Sequence, residues 1–210
     1  MKTLLIRFTL FALSFGIFAG VLSRGPNYTV TWEREVPSKE PLSSLNAAFL
    51  DPGSWPVFHH ALKSVTFFDH GKPIADFKQI APGMTALFAI EPTEKPWKRF
   101  EIRAEVLAPL PGEAYRFRMQ GESTGKTTRL LDGFEWWIGV RPANEAEAKR
   151  GNVSAAFGGA KAETKTARAR FFGRFTPKIM MNQLYQMDLV RLANLTETRE
   201  KLIREAPPKH

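Results

Sequence analysis

The 210-residue sequence has no cysteine, which excludes a disulfide framework, a thiolate metal site and a cysteine nucleophile. Histidine is scarce as well, with only His59, His60, His70 and His210. A histidine metal site needs side chains that converge, as at i and i+4 of a helix, and adjacent residues such as His59 and His60 point apart. They read as partly exposed turn residues, so neither a metal nor a cofactor is expected. Glycine and proline, at 15 each, are too few for a collagen-like or low-complexity chain. Acid is in deficit, with 21 Asp and Glu against 30 Lys and Arg, a formal net charge of +9. That balance permits attraction to phosphate or anionic lipid without specifying either. Long apolar runs are also lacking, because the one from Phe8 to Leu22 falls short of the roughly 20 residues that a membrane span takes.

What is present is a large aromatic load, 17 Phe and five Trp within a 43% hydrophobic composition. This is enough for one sizeable core and incompatible with wholesale disorder. Lys2 and Arg7 followed by the run from Phe8 to Leu22 have the form of an export segment. Two readings stay open: a signal peptide cleaved after Ser23, or an anchor formed by residues 4–22. Both hold the amino end in the cytoplasm and put the rest of the chain across the membrane, in the periplasm or outside the cell. The expected organisation is therefore residues 1–23 as signal or anchor, 24–206 as a single domain and 207–210 as a tail.

Tyr28, Val30 and Trp32 alternate with polar residues, which predicts a strand with one buried face. Pro37-Ser38 is expected to open a helix that carries Leu42, Leu45, Ala48 and Phe49 and ends at Asp51-Pro52-Gly53, with a second helical turn from Trp55 to Leu62. Alternation then returns at Val65–Phe68, Met84–Ile90, Phe100–Val106, Tyr115–Met119 and Phe134–Val140, predicting antiparallel strands. The alanine-rich stretch Gly151–Thr166 reads as a weaker last strand. From about Arg168 to Arg204 the chain is expected to be one helix, with Met180, Met181, Leu184, Tyr185, Met187, Leu189, Leu192 and Leu195 in a wide apolar arc.

This order of elements resembles the START-like helix-grip superfamily, which includes polyketide cyclases and lipid-transfer domains. Two segments carry the resemblance, Phe49-Leu50-Asp51-Pro52-Gly53-Ser54-Trp55-Pro56-Val57-Phe58 and Phe134-Glu135-Trp136-Trp137-Ile138. The resemblance implies an α+β fold in which a strongly curved antiparallel sheet of about six or seven strands grips a long C-terminal helix. It further implies a binding protein for a hydrophobic small molecule or lipid, held between sheet and helix. Phe88, Phe117, Phe134, Trp136, Met181, Leu184, Tyr185 and Asp188 are the expected ligand-binding residues, and no catalytic residue is assigned. The alternatives are a cyclase-like enzyme that transfers protons through Asp188 or Glu135, and an envelope interaction protein whose core is filled.

Other signals are weaker. Gly121 to Thr127 nearly spells a phosphate-binding loop but is one residue short and runs into strand, so it reads as a hairpin loop. Asp188 sits within the apolar arc, where an unpaired carboxylate is costly, and a pair with Arg191 near the helix's exposed side is the favoured reading. Lys161, Lys165, Arg168, Arg170, Arg174 and Lys178, interleaved with phenylalanines, could meet a membrane surface. Nucleic acid is not expected for an exported chain.

Overall fold

The computed structural model of the chain describes residues 20, 26–27, 29–59, 61–91, 99–109, 115–124, 131–167, 169–170 and 186–205. The alternating stretches form strands, because side chains of an extended chain point to opposite faces in turn. They are β1 (Thr29–Ser38), β2 (Leu62–Asp69), β3 (Lys72–Pro73), β4 (Thr85–Ile90), β5 (Phe100–Leu107), β6 (Tyr115–Glu122), β7 (Leu131–Pro142) and β8 (Ser154–Thr164). All eight share one antiparallel sheet in the order β1-β8-β7-β6-β5-β4-β2-β3. The eighth strand, beyond the six or seven expected, is the two-residue β3. It follows a tight turn at His70 and Gly71, whose φ angles are 45° and 81°. Gly121 and Glu122 still belong to β6 and Ser123-Thr124 turn away from it, and the rest of the motif, Gly125 to Thr127, lies outside the described residues.

Pro37 and Ser38 do not open a helix. They end β1, where proline is tolerated because β1 is an edge strand of the sheet. Helix α1 (Leu42–Phe49) starts after Pro41 and buries Leu45, Ala48 and Phe49, spaced i, i+3 and i+4 on one face. The helix α2 is only Trp55–Phe58, and Leu62 already begins β2. Together α1 and α2 carry the chain from one edge of the sheet toward the other, so they lie across its inner face. A third short helix, α3 (Glu145–Ala148), has a full capping box between Asn144 and Glu147.

The alanine-rich stretch is not a weak strand. β8 is eleven residues long, pairs with β1 on one side and β7 on the other, and is mostly buried. Its small side chains make room for large neighbours. A Cβ on Gly159 would lie 2.5 Å from both the Trp137 ring and the Trp32 carbonyl oxygen. The ring could tilt, but the paired backbone cannot yield cheaply. Gly159→Ala is therefore expected to destabilise the fold by about 3 kcal/mol in urea unfolding. Gly121→Ala, with nothing within 4 Å of the added carbon, should be close to neutral.

Residues 186–193 are helical, and after a turn at Asn194 the chain continues as α4 (Leu195–Glu205). The uninterrupted helix expected to run to Arg204 is therefore broken at Asn194. Segment 38–40 stitches the break: the Ser38 hydroxyl donates to the Ala193 carbonyl. The Glu40 carboxylate accepts from the backbone N–H of Thr196 at 2.9 Å and from its hydroxyl at 3.0 Å. A carboxylate at this place satisfies orphan donors of the new helix N-terminus. Of the described members of the apolar arc, Leu189, Leu192 and Leu195 are buried and Met187 is exposed.

Candidate functional site

The site grows out of the turn between α1 and β2. Asp51 accepts from the Gly53 N–H at 3.0 Å and from the Ser54 hydroxyl at 2.7 Å, which closes the 3₁₀ turn Pro52–Ser54. That turn drives Trp55 into the core, where its indole N–H donates to the Phe49 carbonyl at 2.9 Å. The Trp55 ring meets Tyr115 at 5.1 Å, Phe49 at 5.9 Å, Phe67 and Phe117 at 6.1 Å and Phe88 at 6.3 Å between centroids. One side chain thus joins α1 and α2 to β2, β4 and β6. Phe88 faces the same side as its pairing partner Ile102, and Glu105, three residues further along β5, faces the opposite one.

The aromatic packing leaves a cavity of about 100 Å³. Phe88 and Ile90 of β4, Ile102 of β5, Phe117 of β6 and Phe134, Trp136 and Ile138 of β7 form its sheet wall. Phe49, Trp55, Phe58 and His59 close it from the α1–α2 side, and Asp188 and Leu189 from the C-terminal helix. Of the eight residues expected at a ligand, the structure brings Phe88, Phe117, Phe134, Trp136 and Asp188 around this one cavity. Met181, Leu184 and Tyr185 lie outside the described residues. Ile90, Ile102 and Ile138 were legible from strand parity, since they alternate in step with Phe88 and Trp136. Phe49, Trp55, Phe58 and His59 had their signal in the Asp51–Trp55 turn, which was read for fold and not for lining.

Asp188 is not on an exposed side of its helix. It is 5% exposed, and its carboxylate lies 3.5 Å from His59 Nδ1. His59 is correspondingly more than an exposed turn residue: its N–H caps α2 on the Trp55 carbonyl, and its ring enters the cavity wall. His70 is an exposed turn residue, as expected, between β2 and β3, and His60 lies outside the described residues. Among the described residues no cluster of three or more His, Asp and Glu could hold a metal ion.

Glu135 is removed from the cavity. Its neighbours Phe134 and Trp136 point inward, so Glu135 points to the opposite face of β7. There it is buried among three cations: Arg116 and Arg118 donate at 2.8 Å and the Lys161 ammonium lies at 3.1 Å. Burial pushes its carboxyl up, but the hydrogen bonds from Arg118, Arg116 and Lys161 outweigh this and hold it at about 2. Trp137 shares that outer face, with the Arg116 guanidinium 5.9 Å from its ring centre. Of the basic residues expected at a membrane surface, Lys161 is thus drawn onto Glu135. Arg170 donates to the Asn27 side chain at 2.8 Å and Lys165 is exposed. Arg168, Arg174 and Lys178 lie outside the described residues.

No family model matches the sequence, and no curated protein matches it. Solved structures do. A truncated norcoclaurine synthase from Thalictrum flavum superposes with a TM-score of 0.52 at 13% identity, covering 82% of this chain and 96% of that one. A point mutant of this synthase in complex with a transition-state analogue gives 0.50 at 10% identity, over 82% and 99%. This is the helix-grip fold. Ara h 8.0201 is similar too, with a TM-score of 0.49 at 14% identity over 80% of this chain and 99% of that one. The helix-grip architecture matches the resemblance drawn from the sequence: an α+β fold, one antiparallel sheet, and a C-terminal helix packed on its inner face. At these identities the likeness carries the fold, and the site must speak for the activity.

Proposed function

We propose that this helix-grip chain is a binding protein that holds one small apolar molecule, of about single-ring size, between its sheet and its C-terminal helix. The observation that supports the reading is the apolar cavity that remains inside an otherwise densely aromatic core. Apolar cavities of roughly 150 Å³ take up benzene, whereas drug-sized ligands occupy roughly 300–1,000 Å³. A cavity of about 100 Å³ favours a compact ligand over a long-chain lipid. Phe88, Phe117, Phe134, Trp136 and Asp188 are its contacts in this proposal. The cavity also speaks against a wholly filled core. Export or anchoring through residues 1–23 belongs to the same proposal. It rests on the positive residues and apolar run of that segment.

Native mass spectrometry of the protein recovered from expressing cells tests both parts. A mass beginning at residue 24 indicates cleavage, and a full-length mass in the membrane fraction indicates anchoring; a full-length soluble protein overturns export. For the cavity, the wild-type chain is expected to bind benzene and toluene. Ile138→Phe, which places a larger ring on the wall, is expected to lower both affinities at least tenfold with the circular dichroism spectrum unchanged. A wild-type protein that carries no extractable small molecule and binds neither probe overturns the binding role.

A further inference from the structure

We infer that the open edge of β1 is a docking surface for an extended segment of a partner protein. The segment adds to the sheet as a further antiparallel strand, with a lysine or arginine opposite Glu33 and an acidic residue opposite Arg34. This edge is separate from the cavity, which lies on the inner face of the sheet.

The two ends of the sheet differ. At one stands β3, two residues long and too short to template another strand. At the other stands β1, whose ten residues pair with β8 in one unbroken register. Natural edge strands are commonly blunted by shortness or by a bulge, because their outward backbone groups pair readily with another chain. Along a strand the N–H and C=O of one residue point to one side and those of the next residue to the other. The Ser38 carbonyl accepts from the Val153 N–H at 2.9 Å, on the β8 side, so Val30, Trp32, Arg34 and Val36, in step with Ser38, are turned toward β8. Thr29, Thr31, Glu33 and Glu35 therefore turn their backbone groups to the open edge. Pro37 belongs to that outward series, so its missing N–H costs the ladder with β8 nothing and marks where the row of donors ends.

Charge selects the partner. Glu33, Arg34 and Glu35 are all exposed. The two carboxylates share the outer face of the sheet, and Arg34 is turned to the other. Antiparallel pairing of two copies of β1 centred on this segment sets Glu33 against Glu33 or against Glu35, and like charges directly opposite are destabilising. A second copy is thereby disfavoured. A strand that reads base, acid, base in these places gains an opposite charge at each position. Glu35 is already held by Arg141, which also binds Glu147. Glu33 has no ion pair among the described residues and carries most of the preference. Beside it, Trp137 and Phe157 line an open depression of about 470 Å³ that Glu33, Arg34 and Glu35 border. The rings give the alkyl stem of a lysine or arginine an apolar bed. Trp137 already has one guanidinium, that of Arg116, 5.9 Å from its ring centre.

The test titrates the isotope-labelled full-length chain at low salt with two peptides, followed by amide NMR. They are acetyl-Thr-Val-Lys-Glu-Lys-Val-Thr-amide and its charge-exchanged form, acetyl-Thr-Val-Glu-Lys-Glu-Val-Thr-amide. The first is expected to shift the Thr29, Thr31, Glu33 and Glu35 signals and to bind at least about tenfold more tightly than the second. Glu33→Lys is expected to remove that preference. Thr31→Pro deletes a donor on the open side and none from the ladder with β8, so it is expected to abolish binding of both peptides with the circular dichroism spectrum unchanged. Attraction between charges alone would not respond to it. Equal binding of the two peptides overturns the charge selection, and binding of neither overturns the docking edge. Wild-type protein that self-associates through β1 and excludes the peptide overturns the partner in favour of a second copy. The ranking on the wild-type chain decides the question even if a variant does not fold.

Discussion

Trp55→Ala is expected to lower the unfolding free energy by about 3–5 kcal/mol, the usual cost of emptying a large aromatic site in a core. The side chain is buried, meets five other rings and hydrogen-bonds the Phe49 carbonyl. Its loss leaves a void that α2 can only partly close, because Phe58 on the same short helix is itself packed on Phe49. Domain stabilities are commonly about 5–15 kcal/mol, so this one change removes a large share. Urea unfolding monitored by far-UV circular dichroism measures it. Trp55→Phe, which keeps a ring but loses the hydrogen bond, should cost less than half as much. A loss below about 1 kcal/mol for the alanine variant would mean that Trp55 is not the element that ties the helices to the sheet.

Glu135→Gln is the second large effect, expected at about 3 kcal/mol. The amide keeps the shape and some hydrogen bonding but removes the charge that Arg116, Arg118 and Lys161 share. Arg116 is the least exposed of the three and is left with the greatest penalty. The same cluster makes stability depend on pH with a definite sign. Glu135 ionises at about 2 in the folded chain, against an ordinary value of 4.5. Its contribution is complete above pH 4.5 and is lost as the pH falls toward about 2. The displacement corresponds to roughly 3 kcal/mol. Wild-type protein should therefore lose this much more stability between pH 5 and pH 2 than the glutamine variant. Parallel curves for the two proteins would remove the cluster as a source of acid sensitivity.

Three expectations fail, each for its own physical reason. Ser154–Thr164 looked weak because alanine and glycine have low intrinsic strand preference. That preference was overridden by position: a strand between two others, beneath Trp32 and Trp137, has to be narrow. Asp188 was assigned to Arg191 because helix neighbours at i+3 are what a sequence displays. His59, 129 positions away in the chain, comes beside it only after α2 and the C-terminal helix pack on the same sheet. Glu135 was offered as a cavity carboxylate although its inward neighbour Trp136 already excluded it by parity.

Local chemistry alone was enough to place the strand faces, the Asp51–Trp55 turn, the opposite orientations of Trp136 and Trp137, and the broad α+β architecture. Each of these depends on periodicity or on turn residues acting over a few positions, where steric rules leave few choices. Packing settled what those rules cannot reach: the size of the cavity, the meeting of His59 with Asp188, the gathering of three cations on Glu135, and the break at Asn194 held by Ser38 and Glu40. These are contacts between distant segments, and their geometry follows from how volumes fill one sheet face.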